Sequence, residues 1–429
     1  MKLIRKKNVT DSGQNLLLSQ HIKRSTKLEK TGNDNVLILS GAGRGRMRYC
    51  IKQNILEMNA SYVIFDTSGE YLYSLGQLLK DNHYKIKIFN IADMEHSDYY
   101  NPFHYIHNET DVETFLQCFM EDNKGHDSDF QMAEKMLYRA CIYYLKDHCD
   151  DESKKNFTFI RNMIQAAACV GNEKSSLDEV FEQLPDNSVA KKCYVSFKQD
   201  TGKQIKAVFM SCLVRLNIFD CKEAENLTKK DTLELEKLGD EKTAVFILAP
   251  FWCRAFYSLP TILYTQLCNV LYRKGEEQFC EGGSIRSAFP VRLILDDFEY
   301  LNKIPGFENT LATMKMYNMS AIIAIESITR IKEKYKETWD ILCGNCSSCV
   351  FLGSGDEEML NYVSSYLLDG KEKELNEKIN FLPYDKCIVF NQNEKPVLDT
   401  KYKYEKHPLY AFTADASQKN AFYCREFFN

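Results

Sequence analysis

The sequence predicts an α/β fold whose mostly parallel central sheet is interrupted by an inserted all-α domain. Three observations predict it. Short apolar runs alternate with helical stretches near both ends of the chain. One run leads into a glycine-rich turn and another ends in an acidic pair. Between them lies a long stretch almost without strand runs.

In order along the chain, residues 1–34 read as a lead-in with Lys23, Arg24, Lys27 and Lys30 as a solvated charge run. Asn35-Val36-Leu37-Ile38-Leu39 is apolar throughout and runs into glycines, the pattern of a buried parallel strand. A helix is expected over 46–58. Tyr62–Phe65 is a second strand ending at Asp66, Tyr71–Asp81 a helix, and Lys85–Phe89 a third strand. Strands alternating with helices imply right-handed crossovers.

Residues 108–235 carry helical faces instead. Phe130, Met132, Met136, Leu137, Cys141, Tyr144 and Leu145 recur at helical spacing, and 177–183 and 203–218 repeat the pattern. The α/β pattern returns with Thr243–Leu248, a helix over 259–274, and Val291–Leu295 closing on Asp296-Asp297. Ser320–Ile325 and Ser348–Leu352 are further strands. Cys387–Phe390 and Pro396–Leu398 are expected to pair as a hairpin. The layout is a lead-in (1–34), an α/β domain in two segments (35–107 and 236–410), an all-α insertion (108–235) and a C-terminal tail (411–429).

The chain has 429 residues, and its 44% hydrophobic content is enough for a sizeable core. With 55 Lys plus Arg against 60 Asp plus Glu, the net charge of -5 excludes a protein basic all over, though not a local nucleic-acid surface. Sixteen cysteines without a scaffold rhythm, and no apolar run behind Met1–Lys7, predict reduced thiols in a cytoplasmic protein. No run of about 18 apolar residues predicts a membrane span.

Ser40-Gly41-Ala42-Gly43-Arg44-Gly45-Arg46-Met47 has the strand-to-helix context of a phosphate loop. It departs from the working motif in three places. Ser40 replaces the first glycine, Arg46 the lysine and Met47 the hydroxyl residue. A planar guanidinium does not replace a compact ammonium, and a thioether is a poor ligand for Mg²⁺. Asp296-Asp297 has the place of an acidic pair that holds metal-bound water and polarises the attacking one. There Asp297 is one methylene shorter than the usual Glu; a loop or helix cap is an equally open reading of such a pair. Arg44, Arg46 and Arg48 form a basic patch with three open readings: nucleotide phosphate, DNA phosphate, or solvent. Trp252 with Phe251, Phe256 and Tyr257 reads as a core cluster rather than a base-stacking platform. Cys343, Cys346 and Cys349 lack a fourth ligand, so no metal site is expected.

Several segments follow one another in a specific order. Asn35-Val36-Leu37, Ile51–Leu56, Asp66-Thr67-Ser68-Gly69-Glu70 and Tyr100-Asn101-Pro102-Phe103 come first. Asp296-Asp297-Phe298, Tyr335, Lys395-Pro396-Val397 and Lys401–Pro408 follow. The series resembles the type IV secretion coupling proteins of the TraG/TraD family over about 35–410. The resemblance implies a RecA-like P-loop NTPase domain in a ring-shaped hexamer at the inner face of the bacterial membrane. It implies single-stranded DNA bound to a relaxase or relaxosome as cargo, secretion-channel components as partners, and ATP between subunits. On it, Ser40 to Met47 would bind nucleotide, and Asp296, Asp297, Glu326 and Lys315 would stand at the catalytic positions.

The departures cluster at that chemistry. Ser68 stands where the family has a basic residue, and Glu326 where it has Gln. The family's N-terminal membrane helices are not seen. The expectation is a degenerate coupling protein with weakened ATP affinity, an uncertain Mg²⁺ requirement and weak or no hydrolysis. The alternative is a non-catalytic adaptor that forms a hetero-oligomer with an intact coupling ATPase.

Overall fold

The computed structural model describes residues 15–26, 32–121, 128–169, 174–368 and 373–422. Met1–Lys7, Lys27 and Lys30 of the expected lead-in fall outside them. So does the end of the tail.

Eleven strands occur among the described residues: β1 (Asn15–Leu17), β2 (Lys23–Ser25), β3 (Val36–Leu39), β4 (Ser61–Asp66), β5 (Lys85–Asn90), β6 (Thr243–Leu248), β7 (Val291–Leu295), β8 (Met319–Ile325), β9 (Ser348–Phe351), β10 (Lys386–Asn391) and β11 (Val397–Thr400). Nine form one sheet in the order β11-β10-β9-β3-β8-β7-β4-β6-β5. Every pair from β9 to β5 is parallel, with registers such as Val36 to Ile322 and Ile64 to Ile294. The expected terminal hairpin, β10-β11, joins antiparallel at the β9 edge.

The strands are apolar on both faces, as a doubly covered sheet requires. Leu37, Leu39, Val63, Phe65, Leu293 and Leu295 point into one core. Val36, Ile38, Tyr62, Ile64 and Ile294 point into the other. This two-residue alternation puts a hydrophobic layer on each side. The first core continues without a break into the helices between Glu109 and Lys229, through residues such as Phe115, Leu137, Phe157 and Phe209. The second lies under Lys52–Leu56 and Glu70–Asp81.

Two terminal segments are more ordered than the sequence suggests. Around 15–25 the chain is a β1-β2 hairpin rather than a solvated lead-in, and Leu16, Leu17 and Leu18 are buried. Asn54 holds it by accepting from the Leu17 N–H at 2.8 Å and donating to its carbonyl at 3.0 Å. Beyond 410 the chain straps across Glu70–Asp81. The Ala414 and Phe422 N–H groups donate to the Ser74 and Tyr73 carbonyls. No helix of the described residues is long and apolar enough to cross a membrane.

Because the strands are parallel, the chain leaves β3, β4, β7 and β8 on one rim. In such sheets the carboxyl ends of the strands hold the ligand crevice.

Candidate functional site

The turn after β3 is built for close backbone approach. Gly43 and Gly45 adopt φ of 71° and 82°, which side chains with a Cβ disfavour. A Cβ on Gly45 would lie 2.6 Å from the Tyr49 ring. The turn is pinned to its neighbours: Ser40 N–H donates to the Ile325 carbonyl at 3.1 Å and Gly41 N–H to Gly353 at 2.9 Å. A π-helical turn, Met47–Ile51, follows and tightens into an α-helix only at Lys52–Leu56, where one helix over 46–58 was expected.

Arg46 leaves this turn and crosses to the acidic pair. Its Nε donates to Oδ1 of Asp296 at 2.5 Å, and its other two nitrogens donate to Asp297 and Glu326. The guanidinium side chain is 15% exposed, and Asp296 and Asp297 are 4% and 9% exposed. Burial works against its charge. The fields of Asp296, Asp297 and Glu326 outweigh burial and hold the Arg46 pKa above its ordinary value. A planar fork of five N–H donors can meet three carboxylates at once.

The carboxylates are held in turn. Oδ2 of Asp296 accepts from the Tyr71 hydroxyl at 2.8 Å. Burial raises the Asp296 pKa, and Arg46 opposes that rise. Asp297 has a left-handed backbone, φ 55°, a conformation Asp tolerates better than most residues. That turn points its carboxylate back over the crevice, where Oδ2 accepts from the Thr67 hydroxyl at 3.0 Å. The acidic pair is therefore a crevice feature and not a simple loop cap.

A further carboxyl lies behind the pair. Oε1 of Glu299 accepts from the Glu326 N–H at 2.8 Å, while its buried Oε2 has no hydrogen-bond partner. Burial pushes the Glu299 pKa up to about 7. One carboxylate oxygen each from Asp297, Glu299 and Glu326 lies within 4.8 Å of the others. The sequence offered no metal ligand here. In the structure a guanidinium already contacts two of these three groups.

The structure thus brings Ser40–Met47, Asp296, Asp297 and Glu326 to one crevice. Lys315 is not brought there. It precedes β8 by four residues and its ammonium reaches the Gly32 carbonyl, whereas Glu326 follows the far end of that strand. A strand of seven residues spans about 23 Å, so Lys315 belongs to the opposite rim of this chain.

The basic patch is split. Arg46 faces carboxylates, Arg44 donates to the Leu382 carbonyl at 3.1 Å, and Arg48 pairs with Glu405. Sequence reasoning missed Tyr71, Thr67 and Glu299. The one signal in the sequence was Glu326, a charge where the family has a neutral Gln, which marks the crevice without pointing to these three residues.

The expected Trp252 core cluster is also corrected. Tyr257 is buried, but Phe251 is 45% and Trp252 76% exposed. Both sit in the 3-10 turn Phe251–Phe256 on the rim after β6. Cys343 and Cys349 are buried thiols, and burial pushes Cys343 up to about 12.

A nucleotide fits half of this crevice. The N–H groups of Ala42, Gly43 and Gly45 carry no partner among the described residues, so an anion can be met by backbone. Among the described residues, the other half of the crevice offers no free cation and, at position 47, no hydroxyl. Arg46 lies on Asp296, and Met47 brings no oxygen.

A glycine-rich turn at the end of one strand, facing an acidic pair two strands away on a parallel sheet, defines a RecA-like P-loop fold. The chain matches the family model for type IV secretory system conjugative DNA transfer over residues 4–369, and it belongs to that family.

Solved structures agree on the fold. The bacterial conjugative coupling protein TrwBdeltaN70, in complex with sulphate, is 14% identical with a TM-score of 0.57, covering 86% of this chain and 85% of that one. Plasmid coupling protein TrwB with a non-hydrolysable ATP analogue is 13% identical at TM-score 0.60, covering 86% and 85%. VirB4 of Thermoanaerobacter pseudethanolicus is 13% identical at TM-score 0.55, covering 91% and 96%. Comparison with curated proteins gave no significant match.

Proposed function

We propose that this chain is a coupling-protein-like subunit of conjugative DNA transfer whose nucleotide crevice is closed by its own arginine. Its cargo is single-stranded DNA with relaxosome proteins, and its place is the inner face of the bacterial membrane, beside the secretion channel. ATP hydrolysis is weak or absent.

One observation carries this reading: Arg46 is bound by Asp296, Asp297 and Glu326 together. For a triphosphate to use Arg46, the guanidinium must leave three carboxylates in a buried crevice. Breaking a buried ion pair leaves uncompensated charge, at about 3–5 kcal/mol. The incoming phosphates would then meet those same carboxylates. TrwB has been solved with ADP and Mg²⁺. The corresponding metal shell here lacks the hydroxyl that Met47 replaces.

A self-satisfied crevice also suits an adaptor that docks on an intact coupling ATPase in a hetero-oligomer, where the neighbour supplies hydrolysis. An intact Gly-Lys-Ser/Thr loop in an adjacent gene favours that arrangement over a homo-hexamer.

Calorimetry with ATP and ADP, with and without Mg²⁺, together with single-turnover hydrolysis, tests the reading. The expected result is weak or absent binding that Mg²⁺ does not strengthen. Turnover at rates usual for motor ATPases overturns it.

A further inference from the structure

The rim beside the crevice carries a second feature that the nucleotide chemistry does not use. Phe251 and Trp252 project from the turn after β6 with 45% and 76% of their surface in water. Adjacent exposed aromatic side chains form a contiguous apolar patch, the kind of surface that marks a contact site. The Phe251 ring packs on Tyr300, centroids 4.6 Å apart. The Arg330 guanidinium lies over the same Tyr300 ring at 4.5 Å. Tyr300 is fixed by its N–H donating to the Asp297 carbonyl at 2.9 Å.

Arg254, in the same turn as Trp252, is exposed, as is Arg330. Neither is ion-paired among the described residues. Most other arginines here have a carboxylate partner: Arg46, Arg48, Arg139, Arg161, Arg215 and Arg273 all do.

We infer that Phe251, Trp252 and Tyr300, with Arg254 and Arg330, form a stacking platform for single-stranded nucleic acid. The inference rests on reading the chain as DNA-engaging and adds where the strand is gripped. The occupant follows from charge and shape together. Unpaired guanidiniums offer paired N–H donors to phosphate oxygens. Aromatic faces offer stacking to any base, so the grip is sequence-tolerant. An apolar partner protein would use the rings but leave two cations unmatched. Arg46 helps in a second way, because it partly offsets Asp297 and Glu326, which would otherwise repel a polyanion at this rim.

Anisotropy of a fluorescein-labelled oligothymidylate, with tryptophan fluorescence read in parallel, tests the platform. Trp252→Ala and Phe251→Ala are each expected to weaken binding about 10-fold, the loss of one stacked base. Arg254→Gln with Arg330→Gln should lower the dependence of affinity on salt. Bound oligonucleotide should quench a larger fraction of the fluorescence in a Trp339→Phe variant than in the wild type, since Trp252 is then the only tryptophan. Trp252 is exposed, so unchanged melting temperatures will show that the variants fold.

Wild-type binding that all four substitutions leave intact overturns the platform while the DNA-engaging function stands. A wild-type protein that binds no oligonucleotide overturns both. Variants that change only the oligomer size in sedimentation, with binding unaltered, overturn the platform in favour of a contact between copies.

Discussion

Tyr71 and Arg46 hold opposite oxygens of one carboxylate: the Tyr71 hydroxyl donates to Oδ2 of Asp296 at 2.8 Å, and Arg46 Nε to Oδ1 at 2.5 Å. Each oxygen of the Asp296 carboxylate is thus held by one of the protein's own donors. A residue of the helix after β4 and a residue of the loop after β3 meet at the tip of β7, so the crevice is also a structural joint. This has consequences for stability as well as for catalysis.

Replacing Arg46 with alanine removes the cation and leaves three carboxylates facing one another. Loss of one partner from a buried ionic cluster costs about 3–5 kcal/mol. Arg46→Ala should therefore lower stability by about that amount at neutral pH in urea unfolding. The deficit should shrink as acid protonates Asp296, whose pKa burial already raises. A deficit below about 1 kcal/mol, or one independent of pH, means the cluster is not the joint its geometry indicates.

Glu299 gives the protein a second pH dependence, of known sign. Burial raises its folded pKa from 4.5 to about 7. The folded state therefore favours the protonated acid. Its contribution is whole below pH 4.5 and is lost as pH rises through about 7. Across that window the loss is about 3 kcal/mol. Glu299→Gln keeps an acceptor for the Glu326 N–H without the charge, so its melting temperature should exceed the wild type's at pH 8 and match it near pH 4.5. Parallel melting curves at all pH values would remove Glu299 from this role.

Lys52 predicts how the tail is held. Its side chain is 3% exposed, and its ammonium reaches Glu70 at 2.6 Å and Asp415 at 2.9 Å. Asp415 also accepts from Ser74 and Tyr404. Asp415→Ala leaves the buried ammonium short of charge, at about 3 kcal/mol. The strap beyond 410 should then become the first site of limited proteolysis. A digestion pattern identical to the wild type's would show that backbone bonds such as Ala414 to Ser74 hold the strap alone.

How much of this was readable beforehand depended on the range of the interaction. The strands at 243–248 and 291–295 follow from unbroken apolar runs, and the structure places them at those residues. Such runs are local, and a doubly covered parallel sheet demands them. The hairpin at 15–25 was not legible. Leu16 and Leu18 gain their burial against the second core and the Leu17 backbone is held by Asn54, and a three-residue strand has almost no period to detect. Phe251 and Trp252 failed in the other direction. Aromatic residues after a strand usually pack inward, and only the tertiary position of the turn leaves them in water. At the crevice, Arg46, Asp296, Asp297 and Glu326 were legible as residues and their partners were not, while Tyr71, Thr67 and Glu299 were not singled out as site residues. Sequence places Arg46 in the phosphate loop with phosphate or solvent as its open partners, while the carboxylates that claim it come from chain positions about 250 residues away.

That last point can be tested by rebuilding the loop. Arg46→Lys alone replaces a planar fork of five donors with a compact ammonium of three, which matches the carboxylates less well, so it should lose stability without gaining function. Arg46→Lys with Met47→Thr restores the two side chains that a phosphate loop uses: an ammonium for the outer phosphates and a hydroxyl for Mg²⁺. If Arg46 and Met47 are what close the site, the double variant should show Mg²⁺-dependent ATP binding by calorimetry where the wild type shows none. Hydrolysis should still lag, because Asp297 is a methylene short of Glu and its left-handed backbone fixes where the carboxylate points. A double variant that binds no better places the block in the carboxylates themselves. Glu326→Gln, which removes the extra negative charge from the crevice, would then be the substitution that opens it.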